Sequence, residues 1–307
     1  MMPEKPPVDQ KDEKPLSVFV SDIQRCCFDD GDGLRTTVFF KGCSLHCPWC
    51  HNPETISPHP VLLYSASRCV GCLTCAAHCP DTLPLPVAGE VNCAADRNCE
   101  GCLCPQDALR VSGRRMSLDA LMSVIQEDSA YYAASGGGVT LSGGEPLMQP
   151  EACLVLAERC HAAGIPVLLD TAGCVAHTVF TRVLSEMDEI YLDLKLPPAQ
   201  YAAVCGSPQD LEQNLDAVVH SGKRYALRIP LIPGFAAQPD MAREMVQFAT
   251  ARGIRRVHLL PYNPLAVSKY TQLGKSWPFP SGFTESALLT ELLDIWRSRI
   301  PDTELKN

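Results

Sequence analysis

From about residue 114 onward, short apolar runs alternate with longer windows of helical period. The runs Gly138–Ser142, Pro166–Asp170, Glu189–Leu194, Tyr225–Pro230 and Val257–Tyr262 are largely apolar on both faces. That predicts strands of a parallel sheet covered by helices. Between them, residues 117–133, 150–163, 177–186, 208–221 and 238–253 carry helical spacing. Ser117 with Asp119 suits a helix start, and Gly164, Gly222 and Gly253 suit helix stops. Such alternation gives right-handed βαβ units. Two upstream runs, Ser17–Ile23 and Thr36–Lys41, also read as strands. With Thr36–Lys41 counted, six strands alternate with helices, fewer than a closed eight-stranded barrel needs. The expected fold class is therefore α/β, a partial (β/α)6 barrel. A last helix is expected near 284–298, after the Pro-rich stretch Trp277–Pro280.

Residues 62–112 break the pattern: they are dense in Cys, Pro and Gly and poor in periodicity. A segment of that kind is held by metal–thiolate bonds more than by a core. The expected organisation is a tail over 1–16, a barrel over 17–61 and 113–307, and an inserted domain over 62–112.

Composition narrows the function classes. The 307 residues are 46% hydrophobic, enough for a full-sized core. A formal charge of −9 argues against broad nucleic-acid binding, which needs a basic footprint. No apolar run is long enough to span a bilayer. Met1–Leu16 is rich in Pro, Lys, Asp and Glu and lacks the apolar stretch of a signal peptide. It reads as a flexible tail of a cytoplasmic protein. The chain holds 17 cysteines, 11 of them between Cys43 and Cys104. An odd count without an export signal speaks against a disulfide framework. Clustered thiols in a reducing compartment point to metal.

Three motifs carry chemistry. The first is Gly42-Cys43-Ser-Leu-His-Cys47-Pro-Trp-Cys50-His51-Asn52, a Cys-x3-Cys-x2-Cys loop after a strand. Three thiolates can hold three irons of a 4Fe–4S cube and leave the fourth for substrate. On this motif alone a zinc knuckle, with His46 or His51 as fourth ligand, is the alternative. The second is Cys69-x2-Cys72-x2-Cys75-x3-Cys79-Pro80, the bacterial ferredoxin run. Its fourth Cys ligates the other cluster of a two-cluster module. Cys93, Cys99, Cys102 and Cys104 supply more thiolates at irregular spacing. The swap assigns Cys69, Cys72, Cys75 and Cys104 to one cluster and Cys79, Cys93, Cys99 and Cys102 to the other.

The third motif is Leu141-Ser142-Gly143-Gly144-Glu145-Pro146 at a strand end. Glycines let a backbone approach a ligand closely, and Glu145 adds a carboxylate for an ammonium. The segment lacks the Lys of a phosphate-binding P-loop. Further polar residues fall at strand ends: Asp170-Thr171, Asp193-Leu194-Lys195, Arg228 and Tyr262-Asn263. In βα barrels that rim carries the active site. Asp170 and Asp193 can share a cation, while Lys195 and Arg228 can meet a carboxylate. Cys153 and Cys160 read as helix core, and no role is assigned to Cys26, Cys27, Cys174 or Cys205.

With these motifs in this order, the chain resembles the radical S-adenosylmethionine (SAM) activating enzymes of glycyl radical enzymes, the group that includes pyruvate formate-lyase activase. The likeness runs from about Val18 to Leu273 and includes the loop ending Trp49-Cys50-His51-Asn52-Pro53-Glu54. It also includes Leu141–Pro146, Leu169–Gly173, Leu192–Lys195, Arg228–Gly234 and Leu259–Asn263. The insert resembles the subset with two extra clusters. The resemblance implies an oxidoreductase with three 4Fe–4S clusters. A reduced cluster cleaves SAM to methionine and a 5′-deoxyadenosyl radical, which takes a hydrogen atom from a backbone glycine of a partner enzyme. It implies cluster ligands at Cys43, Cys47 and Cys50, and SAM contacts at Trp49, His51, Gly144, Lys195, Arg228 and Asn263, with Cys50, Gly143 and Glu145 beside them. It implies a monovalent-cation site at Asp170, Thr171 and Asp193 with the backbone of Tyr191. Asn263 stands where some members have His. Asp30-Gly31-Asp32-Gly33-Leu34-Arg35-Thr36 resembles the segment that meets the partner's glycine loop, with Asp32 in place of the usual Pro. Flavodoxin or ferredoxin is the expected electron donor, and the expected state is a monomer. The alternatives are a radical SAM enzyme acting on a small metabolite or peptide, and a plain electron carrier.

Overall fold

In the computed structural model, which describes residues 17–75, 89–90 and 104–306, the main sheet has nine strands. Six parallel strands form its centre: β2 (Arg35–Phe40), β7 (Gly138–Gly143), β8 (Val167–Thr171), β9 (Glu189–Asp193), β10 (Arg224–Leu231) and β11 (Arg256–Pro261). They lie side by side in chain order, the order that successive right-handed βαβ units give. β12 (Asp302–Leu305) extends one edge in parallel. β1 (Ser17–Cys27) and β6 (Arg114–Ser117) extend the other edge antiparallel. The two ends of this order do not pair, so the barrel is partial, as the strand count predicted.

Helices pack outside the sheet: α3 (Pro150–Ala162), α4 (His177–Leu184), α6 (Leu211–His220), α7 (Pro239–Ala251) and α9 (Ser286–Arg297). In α3, Ala152, Cys153, Leu156, Ala157 and Cys160 are buried, one stripe at helical spacing. Cys153 and Cys160 are thus core residues. Pro150 opens α3 where no amide partner is needed, and Gly164 follows it at φ +70°.

The single helix expected over 117–133 is two, α1 (Leu118–Gln126) and α2 (Ser129–Ser135). The break falls at Asp128, whose buried carboxylate accepts from Thr36 Oγ1 and Arg25 Nε, each at 2.8 Å. A tertiary pull overrides local helical period there. Two short helices, α5 (Pro198–Val204) and α8 (Val267–Gln272), have no periodic signature in the sequence.

A separate three-stranded sheet joins β3 (Val61–Tyr64), β4 (Gly89–Glu90) and β5 (Leu109–Ser112). Val61 and Leu63 bury against Leu273, just past α8. Arg110 Nη2 also reaches Gln272 Oε1 at 3.3 Å. The expected tail over 1–16 lies outside the described residues. So do Cys79, Cys93, Cys99 and Cys102. Among the described residues no helix is long and apolar enough to cross a membrane.

Candidate active site

The Cys43–Cys50 loop leaves the end of β2 and is tied down by its own backbone. Gly42 N donates to Thr55 O (2.8 Å), Cys43 N to Ile56 O (3.0 Å) and His46 N to Cys205 O (2.8 Å). Leu45 N donates to Cys43 Sγ at 3.4 Å, which gives that sulfur a stabilising dipole. Tyr270 on α8 donates from its hydroxyl to Pro48 O at 3.0 Å, and Lys269 Nζ reaches Asn52 Oδ1 and Glu54 Oε1, each at 2.7 Å. Trp49 is buried against Phe235 and Phe279, with ring centroids 4.8 and 6.1 Å away.

The next wall comes from the end of β7. Gly144 N donates to Phe40 O (2.9 Å) and Glu145 N to Gly42 O (2.8 Å), so the two strand ends touch backbone to backbone. A Cβ on Gly143 would stand 2.3 Å from Phe40 N, and one on Gly144 would stand 2.3 Å from Gly42 O. The glycines thus serve an approach to the chain itself as well as to any ligand.

One cavity of about 290 Å³ gathers the expected residues. Cys43, Cys47, Trp49, Cys50 and His51 line it, with Gly143, Gly144, Asp170, Thr171, Asp193, Lys195, Arg228 and Asn263. Residues 220 positions apart in the chain share this wall because every parallel strand ends at the same rim. His51 bonds the backbone of Asn263, and its pKa is lowered by burial and by the nearby Lys269 charge.

Glu145 is placed otherwise than expected. It is fully buried, and its carboxylate accepts from Thr171 Oγ1 (2.7 Å), Ala172 N (2.9 Å) and Leu147 N (3.1 Å). It fastens the end of β7 to the end of β8 and is not part of the cavity wall. Tyr191, whose backbone was the expected contact, lines a second cavity that shares Arg228 and Leu260 with the first.

The cavity floor is an ionic cluster. Arg228 Nη1 lies 3.1 Å from Asp170 Oδ1, and Arg228 Nε lies 3.5 Å from Asp193 Oδ1. Lys195 Nζ lies 2.7 Å from Asp193 Oδ2, and Ser142 Oγ donates to Asp170 at 2.7 Å. Burial pushes the Asp170 carboxyl up to about 6 despite Arg228. Asp193 is held below the ordinary range, its burial outweighed by Lys195 and Arg228. Asp193 Oδ1 and Arg228 Nε and Nη1 are buried without a hydrogen-bond partner among the described residues. These atoms are held by ion pairs alone, and a floor carrying both signs of charge suits a zwitterionic ligand such as an amino-acid moiety.

The three thiols suit a cluster. Burial pushes Cys43 and Cys50 up to about 12, reinforced by the charges of Glu145 and Cys47 respectively. Taking up a cluster therefore releases their protons. Cys205, which belongs to no sequence motif, places its thiol against Cys47 and lowers the Cys47 pKa by hydrogen bonding. Among the described residues no three His, Cys, Asp or Glu side chains are gathered as ligands of one metal ion, the three thiols of this loop included.

At the small sheet, Tyr64 bonds Cys69 and lies near Cys75, while Cys104 lies close enough to Cys72 to feel its charge. Lys269, Tyr270 and Cys205 were missed because a six-residue helix and an isolated thiol leave no periodic or motif signal.

The chain has recognisable relatives among known proteins. A family model described as "4Fe-4S single cluster domain" matches residues 29–68 and 91–196. The indoleacetate decarboxylase activating enzyme of Tractidigestivibacter scatoligenes is 35% identical, covering 87% of this chain and 90% of that relative. The pyruvate formate-lyase 2-activating enzyme of Escherichia coli (strain K12) is 36% identical, covering 84% and 82%. The solved domain of a pyruvate-formate lyase-activating enzyme from Bacteroides vulgatus ATCC 8482 is 22% identical, with a TM-score of 0.46, and covers 56% of this chain and 100% of that one.

Proposed function

The chain belongs to the activating enzymes of glycyl radical enzymes, and we propose that the cavity walled by Cys43–Cys50, Gly143–Gly144, Lys195, Arg228 and Asn263 is where it does that work. Enzymes of this family cleave SAM to place a radical on a glycine of a partner enzyme. The observation that carries the site reading is one cavity lined by three thiols and by an ionic floor of both signs. A 4Fe–4S cluster with SAM supplies the electron and the radical; the protein supplies position and exclusion of water.

In this reading Cys43, Cys47 and Cys50 hold three irons and leave one for SAM. Lys195 and Arg228 meet the SAM carboxylate, and Asp193 offers an acceptor to its ammonium. Trp49, His51, Asn263 and the Gly143–Gly144 backbone bound the remainder. Glu145 acts indirectly, by fixing the β7 and β8 ends. A monovalent cation at Asp170, Thr171 and Asp193 shares that pair with Arg228. Incubating the reduced protein with SAM and the glycyl radical enzymes encoded in its own genome should give an organic radical signal in EPR on one of them. No signal on any of them would sink the reading. The two relatives act, by their names, on different enzymes at similar identity, so identity alone does not select the target.

We further propose two auxiliary 4Fe–4S clusters, the first held by Cys69, Cys72, Cys75 and Cys104 and the second by Cys79, Cys93, Cys99 and Cys102. The nearness of Tyr64 to Cys69 and Cys75, and of Cys104 to Cys72, supports the first set. In this reading they pass electrons from flavodoxin or ferredoxin to the SAM-binding cluster, or else stabilise the insert, in a monomeric cytoplasmic enzyme. Cys72→Ala should slow SAM cleavage driven by flavodoxin by tenfold or more, while cleavage driven by dithionite stays within about twofold. Equal loss with both reductants speaks against a relay.

A further inference from the structure

Lys269 and Tyr270 hold the cluster loop, yet they sit on α8, a helix of six residues. A helix that short has little stability of its own, so its partners decide where it stands. On one side the partner is the loop. Lys269 Nζ meets Asn52 Oδ1 and Glu54 Oε1, each at 2.7 Å, and Tyr270 donates to Pro48 O at 3.0 Å. Glu54 is 8% exposed, so its carboxylate depends on that ion pair. It belongs to the turn Pro53–Thr55. The carbonyls of Thr55 and Ile56 accept from Gly42 N and Cys43 N. The start and the end of the loop therefore close on the segment that Lys269 grips.

On the other side the partner is the small sheet. Leu63 on β3 stands directly opposite Arg110 on β5 in the antiparallel register. Leu63 packs with Val61 against Leu273, which is buried just past α8, and Arg110 Nη2 meets Gln272 Oε1 at 3.3 Å. One cross-strand pair thus takes hold of two consecutive residues at the end of the helix. Leu273 N in turn donates to Lys269 O at 3.0 Å, and Lys275 N to Tyr270 O at 2.9 Å. The end that the sheet holds is bonded to the two residues that hold the loop. The β3–β5 pairing runs through the backbone and uses no thiol, so this joint does not depend on Cys72.

We infer that the small sheet of the insert positions the Cys43–Cys50 loop through α8, with Lys269 and Tyr270 as positioning residues toward the loop and Leu63, Arg110 and Leu273 toward the sheet. The inference rests on the reading that this loop holds the SAM-binding cluster. It gives the insert a function that needs no electron. Trp49, His51 and Asn52 line the cavity from this loop and the residues after it. A joint loosened at the sheet frees α8, the cavity wall shifts with it, and SAM binds less well.

The test uses the holoenzyme with dithionite as reductant, so that SAM cleavage does not wait on a protein electron donor. Lys269→Met leaves the buried Glu54 carboxylate unpaired and should raise the KM for SAM about tenfold, with kcat within about twofold of wild type. Lys269→Arg, which restores the ion pair, should recover most of that loss. The double variant Leu63→Ala, Arg110→Ala changes no residue that lines the cavity. It should still raise the KM for SAM about fivefold and diminish the change that SAM induces in the EPR signal of the cluster. Iron content equal to wild type shows that its clusters are in place. A fully loaded double variant with wild-type KM and EPR response overturns the inference and leaves the site reading standing, as does a wild-type KM in Lys269→Met. Should the double variant lose iron, Leu273→Ala, which empties the same contact from the barrel side, decides by the same two readouts. A wild-type enzyme whose cluster EPR signal does not respond to SAM overturns the site reading itself.

Discussion

Cys47→Ala lowers reductive SAM cleavage by about a thousandfold or more, because the cofactor carries chemistry that no side chain replaces. The purified variant loses the iron of one cluster and the EPR change that SAM induces, while the far-UV circular dichroism stays that of the wild type. The fold survives because the loop is held by backbone bonds from Gly42, Cys43 and His46, none of which uses the Cys47 thiol. Residual cleavage above a few per cent of wild type would show that two thiolates suffice, and the three-ligand assignment would have to go.

The second large effect concerns Glu145. Glu145→Ala removes the acceptor for two main-chain amides and a hydroxyl, leaves Ala172 N and Leu147 N unsatisfied and opens a cavity. The expected cost is roughly 3–5 kcal/mol of stability, read as a lower denaturation midpoint. SAM affinity should fall with it, since the same carboxylate holds the β7 end beside the cavity. Glu145→Gln isolates the charge. Burial raises the Glu145 carboxyl in the folded state to about 7, above its ordinary value of 4.5. The folded state therefore holds this proton more tightly than the unfolded state does. The stability that this brings is complete below about pH 4.5 and is lost as pH rises through about 7, a change of roughly 3 kcal/mol. Unfolding curves of wild type and Glu145→Gln between pH 5 and 8 should show the wild type losing ground as pH rises. A constant difference across that range would mean that burial does not penalise this carboxylate.

The two effects come from opposite kinds of residue. Cys47 is proposed to act through what it binds, a role that the spacing of three cysteines suggests. Glu145 is equally visible, next to two glycines at a strand end, but the direction of its carboxylate is not. A carboxylate beside Gly143 and Gly144 is the same in sequence whether it faces a ligand or the neighbouring strand. Only the position of Thr171 and Ala172 settles which.

Much was fixed by local chemistry alone. Short runs apolar on both faces, alternating with helical spacing, predict the six parallel strands and the main helices, because apolar spacing dictates which faces are buried. The thiol motifs identified cluster chemistry, because ligand spacing within one loop survives any fold. The strand-end polar residues identified the rim, because parallel strands all end on the same side. What tertiary structure decided were relations between distant segments. It split the expected 117–133 helix at Asp128, which Arg25 and Thr36 claim. It brought Tyr270 and Lys269 onto the cluster loop, set Arg228 between Asp170 and Asp193, and turned Glu145 inward. Each of these depends on a partner more than 25 residues away, and hydrogen bonds and ion pairs of that range leave no local pattern in the chain.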